Sequence, residues 1–286
     1  GDSTDGSQEI IRQYEARLAW WVSEPDRGQA DAVNKGLARA KGKYIGWLNS
    51  DDLYLPGAVR QAVELLEANP HSAFVFGDVH AIDERGVVTN IMRYGEWQLS
   101  DLMSFHIIGQ PGVFMRTESL LKSGGLDLSF HYLLDHHLWL RLGLQGGMQY
   151  SAKQWAAARF HSSAKNVAQA SAFGSEAYRL ADWLATDPRF STRYQPIQHK
   201  VRAGACRMDA RYLLDSGKPA EALRAYSCGL RLNAPTVLPE WHRMLYAFLS
   251  LAGFSFLKRV YLDLRFRLKR PDRHSSQAQE GENGAN

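Results

Sequence analysis

The sequence predicts an α/β protein whose mixed, mostly parallel sheet is flanked by helices and followed by an α-helical C-terminal region. Helix and strand patterns alternate in close order over residues 7–48, which is typical of Rossmann-like layers. From about residue 167 the helical period continues without a strand pattern. The chain has 286 residues, of which 45% are hydrophobic and 11% aromatic, so it can bury a core of ordinary size.

The first elements follow from apolar spacing and turn residues. Ser7 caps a helix that keeps the helical period to Arg17, and the short apolar run 19–23 predicts a strand. A turn-rich loop then leads to a helix over 29–40 that stops near Gly42. Because the chain enters this pattern at a loop and a helix cap, we expect that a first strand of the sheet is missing and that the sequence is N-terminally truncated.

The following elements complete the sheet. Residues 44–48 are apolar throughout, as in a strand covered on both faces, and Pro56 lies in the first turn of a helix over 56–68. The strand 73–78 continues into a hairpin that turns at Asp83-Glu84-Arg85-Gly86. Hydrophobic runs and glycine stops predict the rest: strand 112–116, helix 117–123, helix 135–144, and closing strands 148–153 and 155–160.

The C-terminal region carries only the helical period. Segments near 170–186, 197–216 and 219–231 are predicted helices, and the apolar run Met244–Leu257 is too short to span a bilayer. The expected organisation is an α/β domain over residues 1–166, a helical region over 167–273 and a disordered polar tail over 274–286.

A basic segment closes the helical region. Beyond Leu257, lysines and arginines alternate with apolar residues as far as Arg273. This pattern favours an amphipathic helix on anionic lipid, at the inner face of the plasma membrane. The alternative is a terminal helix that packs on its own domain with a solvated basic face.

The bulk properties exclude several classes of protein. A net charge of +4 is small for this length, so we expect no nucleic-acid partner. The two cysteines, Cys206 and Cys228, form neither a disulfide framework nor a zinc site, which fits a reducing cytoplasm. No signal-peptide pattern is visible in the sequence.

The strand 44–48 ends in two adjacent carboxylates, Asp51 and Asp52, after Asn49-Ser50. Ligands of α/β sheets bind at the carboxyl ends of the strands. Adjacent acids repel, and a divalent metal that holds a phosphate group is the simplest arrangement that stabilises them there. The alternative is a helix cap followed by a solvated aspartate.

Several motifs together resemble a bacterial family 2 glycosyltransferase of the GT-A fold. They occur in the family's order over roughly residues 1–165, and each is weak by itself. The motifs are Asp2-Ser3-Thr4-Asp5-Gly6-Ser7, the run from Ser23 to Gly36, Leu48-Asn49-Ser50-Asp51-Asp52, Gly77-Asp78, Gln110-Pro111-Gly112, Gly124-Gly125-Leu126-Asp127, Leu134-Asp135-His136-His137, and Arg159-Phe160-His161-Ser162-Ser163.

The resemblance implies a bound Mg²⁺ or Mn²⁺ at the leaving diphosphate. The family's D-x-D element reads Asn49-Ser50-Asp51 here, so the metal is assigned to Asp51 rather than to Asn49. Asp52 either assists or caps the next helix. His161 resembles a position that completes the metal or diphosphate site in some relatives, and a structural histidine is the alternative. Arg159 and Lys165 would neutralise diphosphate charge or simply be surface charges.

The resemblance also implies that Asp135 is the general base of an inverting transfer, in which a carboxylate takes the acceptor proton. An N-cap of the following helix is the alternative role. Of the neighbouring His136 and His137, one is expected to line the acceptor site and the other to face solvent.

The donor nucleotide sugar is assigned by the resemblance to residues of the first two loops and of the strand end. Asp5 would also cap the first helix, and Asn34 would alternatively hold loop and helix together. The assigned donor-binding residues are Asp5, Asp26, Gln29, Asn34, Lys35, Asn49 and Ser50.

The expected function is an inverting, metal-dependent glycosyltransferase that moves sugar from a UDP-, GDP- or dTDP-sugar to a polysaccharide or lipid-linked acceptor. A sugar nucleotidyltransferase is a poorer match, because its glycine- and arginine-rich phosphate loop is not found. A catalytically silent sugar-nucleotide-binding scaffold of the same fold is the third hypothesis, favoured by the amide at Asn49.

Overall fold

The computed structural model describes residues 1–160, 170–254 and 256. Within them, the strands are β1 (Tyr44–Gly46), β2 (Leu53–Tyr54), β3 (Phe74–Ile82), β4 (Val88–Met92), β5 (Val113–Arg116) and β6 (Met148–Arg159). The α-helices are α1 (Ser7–Gln13), α2 (Gln29–Leu37), α3 (Ala58–Ala68), α4 (Leu99–Met103), α5 (Thr117–Ser123), α6 (Leu134–Gly146), α7 (Ala170–Thr186), α8 (Ser191–Tyr194), α9 (Gln198–Asp215), α10 (Pro219–Val237) and α11 (Trp241–Leu251).

The strands form one mixed sheet in the order β1-β5-β3-β6-β2, with β4 beside β3. The predicted α/β class and the mixed sheet are confirmed, but the expected predominance of parallel pairs is wrong for the described residues. There, β3 and β6 pair in parallel, whereas the other pairings are antiparallel. An apolar run reports that a strand is buried on both faces and carries no information about its direction.

Two predicted strands differ in detail. The segments 148–153 and 155–160 form one strand, β6, whose pairing with β3 shifts register on either side of Asp78. A register shift bends a strand without ending it. The sequence pattern cannot distinguish one bent strand from two separate strands. Residues 19–23 join no sheet in the described part of the chain, and Trp20 and Val22 are exposed. An extended apolar segment becomes a strand only where a neighbour supplies backbone partners.

The main core lies between the sheet and the helices on one of its faces. Phe74 of β3 packs against Trp139 of α6, with ring centroids 5.6 Å apart, and both side chains are fully buried. Leu180 of α7 and Val201 of α9 belong to the same cluster of buried side chains. The C-terminal helices therefore contribute to the same hydrophobic core as the α/β part. This core includes residues on both sides of the predicted domain boundary between residues 166 and 167.

Helix α6 is held at a fixed distance from the sheet. It ends at Gly146, where a side chain would collide with the carbonyl oxygen of His71, and Gly147 follows with a φ of +72°. Only glycine adopts such a left-handed conformation without strain. This tight turn leads directly into β6. It fixes α6, the helix that carries Asp135, against β3.

Helices α9, α10 and α11 enclose a second, smaller core that includes Ala203, Tyr226 and Val237. Cys206 and Cys228 lie on facing positions of α9 and α10, with Sγ atoms 3.3 Å apart and no disulfide bond. Among the described helices, none combines the length and the hydropathy needed to cross a bilayer.

Candidate active site

A cavity of about 570 Å³ opens where the acidic segment after β1 meets the end of β6. Its wall comprises residues 49–52, residues 107–111, residues 131–135 and the strand end Ala158–Phe160, together with side chains from α7 and α9. The cavity thus brings together Gln29, Asn49, Ser50, Asp51, Asp52 and Asp135, which are six of the predicted site residues.

Asp52 is buried at the floor of the acidic segment, with 7% of its surface exposed. Its Oδ1 accepts the backbone N–H of Arg159 at 2.9 Å, and its Oδ2 accepts a hydrogen bond from Asn49 at 3.2 Å. Burial raises the pKa of Asp52, and the neighbouring charge of Asp51 raises it further, whereas the hydrogen bonds oppose the shift. A bound cation would stabilise this carboxylate as an anion.

Asn49 is the centre of an amide network, which explains the amide at a position where the family pattern has an acid. Its Nδ2 donates to Gln110 Oε1 at 3.0 Å as well as to Asp52, and its Oδ1 accepts from Gln29 Nε2 at 3.4 Å. The Gln110 amide in turn donates to the carbonyl oxygen of Trp47. A carboxylate at position 49 could not donate the two hydrogen bonds to Gln110 and Asp52. Gln110, which is buried, was not predicted as a site residue, although its Gln-Pro-Gly motif was a signal.

Arg159 holds the acidic segment from below. Its Nε donates to the carbonyl oxygen of Asp51 at 3.1 Å, and its Nη1 donates to the carbonyl oxygens of Asp83 at 2.9 Å and Glu84 at 3.1 Å. The guanidinium is thus committed to the backbone of two turns. Arg159 also lines the cavity, so a contact with a diphosphate stays a prediction beside this structural role.

Asp135 lies in the first turn of α6 and is partly exposed to the cavity. It is not the N-cap, which is Leu133, so the alternative role as a cap is wrong. Its Oδ1 accepts the backbone N–H of His136 at 2.7 Å. Burial raises the pKa of Asp135 to about 6, and the nearby charge of Glu176 adds to this rise. A carboxyl with such a pKa is poised to exchange a proton near neutrality.

His136 and His137 are both buried, so the expectation that one lines the acceptor site and the other faces solvent is wrong. The His137 ring stacks on Phe130 at 4.2 Å between centroids and meets the edge of Trp183 at 4.3 Å. Burial lowers the pKa of His137 to about 3 and that of His136 to about 4, so both are neutral core residues. In sequence they follow Asp135 directly, and nothing there distinguishes a buried histidine from a functional one.

Asn34 of α2 lies outside the cavity wall. Its Nδ2 donates to the carbonyl oxygen of Leu126 at 2.8 Å, and its Oδ1 accepts the Leu126 N–H at 2.8 Å. This two-way bond ties α2 to the glycine-rich loop after α5. Of the two roles predicted for Asn34, donor binding and holding loop and helix together, this bond corresponds to the second.

Asp5, Asp26 and Lys35 also lie outside the cavity wall. Asp5 and Asp26 each accept the backbone N–H two residues further on, at 3.1 Å and 2.8 Å, and so shape their own turns. Lys35 donates to the carbonyl oxygen of Pro25 at 2.9 Å and pairs with Glu24 at 2.7 Å. Their assignment to the donor remains a prediction. His161 and Lys165 lie outside the described residues.

The acidic segment fits a metal that arrives with a diphosphate. In the described part of the chain, no three His, Cys, Asp or Glu side chains are grouped to hold a metal ion unaided. Mg²⁺ and similar ions are commonly held by one or two carboxylates, and phosphate oxygens and waters fill the remaining positions. Asp51 and the buried Asp52, adjacent at one cavity wall, supply that donor set.

Aromatic and apolar side chains from the C-terminal helices form another part of the wall. Phe173 of α7 stacks on Tyr212 of α9 with ring centroids 4.4 Å apart. The ring centroid of Tyr132 lies 5.0 Å from that of Phe173. Met208, one turn before Tyr212, lines the cavity beside them. Sequence reasoning missed these residues, since a helical spacing of large side chains ordinarily indicates a core.

Solved structures identify the fold. S. aureus TarS in complex with UDP-GlcNAc superposes with a TM-score of 0.52 at 14% identity, over 95% of this chain and 82% of that one. The mannosyltransferase PcManGT from Pyrobaculum calidifontis, in complex with GDP-Man and Mn²⁺, superposes with a TM-score of 0.51 at 18% identity, over 90% and 76%. The fold is that of the GT-A glycosyltransferases.

Residues 1–119 match the family model of glycosyl transferase family 2. An uncharacterized glycosyltransferase of Mycobacterium tuberculosis is 30% identical to it over 150 residues, which are 50% of this chain and 55% of the relative. This chain thus spans about half the length of such curated relatives. The predicted resemblance to this family is confirmed for residues 1–119.

Proposed function

We propose that the protein is an inverting, metal-dependent glycosyltransferase that moves sugar from a nucleotide sugar to a glycan or lipid-linked acceptor. The observation that carries this proposal is that Asp51, Asp52 and Asp135 line one cavity of about 570 Å³. A diphosphate-side acidic pair and a separate carboxylate for the acceptor are the two charged groups that the reaction needs.

The donor side of the reaction is assigned to the acidic segment. Asp51 and Asp52 would hold Mg²⁺ or Mn²⁺, and the ion would neutralise charge on the leaving nucleoside diphosphate. The two structural neighbours, which are in complex with UDP-GlcNAc and with GDP-Man and Mn²⁺, support a nucleotide-sugar donor and a divalent metal. Gln29, Asn49 and Ser50, at the same wall, would position the donor.

Asp135 is assigned the role of general base. In a single displacement, the acceptor oxygen forms a bond to the anomeric carbon while the bond from that carbon to the diphosphate oxygen breaks. The acceptor hydroxyl proton passes to Asp135, and the configuration at the anomeric carbon inverts. A pKa of about 6 keeps Asp135 mostly ionised at neutral pH and still basic enough to accept this proton.

The wall beside the base supports the proposed acceptor class. Phe173, Tyr212 and Tyr132 present an aromatic surface, and Met208 extends it with apolar atoms. Such a wall suits the apolar face of a sugar ring, as in a glycan chain or a lipid-linked glycan.

A peripheral contact with an anionic membrane is proposed for the C-terminal helices. Trp241, Leu245, Phe248 and Leu251 recur at helical spacing along α11, and each is exposed by about half. Residues 244–257, which begin within α11, carry no charged side chain and are followed by the basic segment 258–273. An apolar stripe next to clustered cations is the pattern of a helix that lies on anionic lipid.

Transfer and donor binding can be measured separately. With Mn²⁺, the protein should cleave at least one member of a panel of UDP-, GDP- and dTDP-sugars, and chelation of the metal should stop the reaction. Asp135→Asn should abolish transfer and leave the donor affinity within about twofold, since the acidic segment is intact. If no donor raises the melting temperature at millimolar concentration with Mn²⁺, the proposal fails. Donor binding without any turnover would favour the silent scaffold.

A further inference from the structure

Glu176 of α7 is a buried carboxylate with an unusual set of partners. Only 6% of its surface is exposed. Its Oε1 accepts the backbone N–H of His131 at 2.9 Å, and its Oε2 accepts those of Tyr132 and Leu133 at 2.6 Å each. One side chain of the helical region therefore binds three consecutive amides of the segment that enters α6.

These three amides lie where backbone donors otherwise lack partners. Leu133 is the N-cap of α6, and the first N–H groups of a helix have no acceptor within the helix. A carboxylate at this end also interacts favourably with the helix dipole. Residues 131–135 all line the cavity, so the Glu176 carboxylate fixes the part of the wall that carries Asp135.

Arg179 extends this contact along the same segment. Its Nη2 lies 3.0 Å from Glu176 Oε1 and donates to the carbonyl oxygen of Ser129, while the guanidinium packs over the Phe130 ring at 4.4 Å. Glu176 and Arg179, one turn apart on α7, thus hold every residue from Ser129 to Leu133. We call this arrangement the Glu176 clamp.

We propose that Glu176 is a positioning residue for catalysis: through the three amides that it binds, it sets the place and direction of Asp135 in the cavity. The inference rests on the proposed function, in which Asp135 is the general base. It assigns to the C-terminal helices a part in the chemistry that neither the family model, which matches residues 1–119, nor the motifs indicate.

The clamp also acts on Asp135 through its charge. After burial, the Glu176 carboxylate is the charge that raises the pKa of Asp135. Tyr94 and Tyr212 also face Asp135, and both are neutral because burial raises their pKa. Loss of the Glu176 charge should therefore lower the pKa of Asp135, and loss of the neighbouring Arg179 charge should raise it. If Glu176 and Arg179 only supported the fold, replacing them would not shift the pKa of Asp135 in opposite directions.

The first test is kinetic and uses Glu176→Gln and Arg179→Gln in the full chain, with the donor that the wild type accepts and Mn²⁺. Glu176→Gln should lower kcat roughly ten- to a hundredfold with little change in the donor KM, as expected for a misplaced base. Its acid limb should move to lower pH, whereas that of Arg179→Gln should move to higher pH. The Arg179 side chain is about half exposed, so this variant stays informative if Glu176→Gln fails to fold.

The matched control is Glu240→Gln. Glu240 is an equally buried carboxylate of the helical region, with 4% exposure, and binds Tyr226 and Arg211 away from the cavity. It should lose stability and keep the wild-type pH profile. A pH profile that moves equally in Glu240→Gln and Glu176→Gln, or in neither, would overturn the proposal.

Hydrogen exchange separates the clamp from the proposed function. In Glu176→Gln the amides of residues 131–133 should exchange at least about tenfold faster than in the wild type, while Glu240→Gln leaves them protected. If the wild type transfers no sugar, the proposed function fails and the exchange result still decides whether the clamp exists. Unchanged exchange in a folded Glu176→Gln variant rejects it.

Discussion

The backbone N–H of Arg159 donates to Oδ1 of Asp52 at 2.9 Å, which joins the end of β6 to the acidic segment after β1. The two residues are far apart in sequence, and the antiparallel pairing of β2 with β6, which places Leu53 opposite Ala157, brings them together. The carboxylate is therefore held by the sheet itself.

Asp135→Asn should raise stability at high pH while it abolishes transfer. Because the pKa of Asp135 is raised to about 6 in the folded state, the folded protein binds a proton there more tightly than the unfolded chain does. This contribution to stability is present at low pH and is lost as the pH rises through about 6. Allowing for partial exposure, the variant should gain ~1–2 kcal/mol at pH 8 and less at pH 5.

Urea unfolding at the two pH values measures this difference. The same residue predicts an acid limb near pH 6 in the pH–rate profile of the wild type, because a general base acts in its ionised form. A stability gain that does not depend on pH, or a limb near the ordinary aspartate pKa, would contradict the assignment.

Asn49→Asp should lower stability in the absence of metal. The new carboxylate cannot donate to Gln110 or Asp52, and it adds a like charge next to a buried one. We expect a loss of about 1–3 kcal/mol, which Mn²⁺ should partly restore by binding the three acids. Asn49→Ala is the matched control, since it removes the same bonds without adding charge. Thermal unfolding with and without Mn²⁺ compares them, and equal responses to the metal would refute the network.

Asn34→Ala should lower the free energy of unfolding by about 1–3 kcal/mol, because two bonds to the Leu126 backbone are lost. Donor affinity, measured by calorimetry with Mn²⁺, should stay the same for the folded variant. Gln29→Ala, at the cavity wall, is the contrasting variant and should weaken donor binding with a smaller effect on stability. Reversed outcomes for the two variants would return Asn34 to the donor site.

Replacing Trp241 and Phe248 by serine should reduce sedimentation of the protein with phosphatidylserine vesicles at least severalfold, since both side chains belong to the exposed stripe of α11. Leu121→Ser on α5 removes an equally exposed apolar side chain elsewhere and should have no effect. Binding should also fall as salt is added. Retention of the wild-type protein in the supernatant at low salt would refute the membrane contact.

The sequence was sufficient for the fold class and for six of the residues that line the cavity, because both depend on local patterns. The run from Tyr44 into the acidic pair, the glycine stop after α5 and the aspartate at the start of α6 are all readable over a few residues. The cavity confirms that Asp51 and Asp135 share one hollow. The cavity itself cannot be predicted from these segments alone, because the pairing of strands that are distant in the chain produces it.

The residues that sequence reasoning missed act through long-range contacts. Glu176 resembles any acidic residue on a helical surface until its three backbone partners are seen. Gln110 binds the side chain of Asn49 and the carbonyl oxygen of Trp47, which belong to a different loop. Phe173 reaches the cavity because α7 packs against α9 and against the segment that enters α6. The two histidines after Asp135 show the reverse case, in which polar residue types are buried for packing.

Phe173 and Met208 belong both to the main core and to the cavity wall. A substitution that enlarges the pocket at either side chain also opens a void in the interior, where such changes commonly reduce stability by ~2–5 kcal/mol. Directed evolution of this scaffold toward larger ligands will therefore meet a trade-off between fit and thermal tolerance. Variants from such a campaign would need compensating changes in α7 and α9 before the wider pocket could be kept.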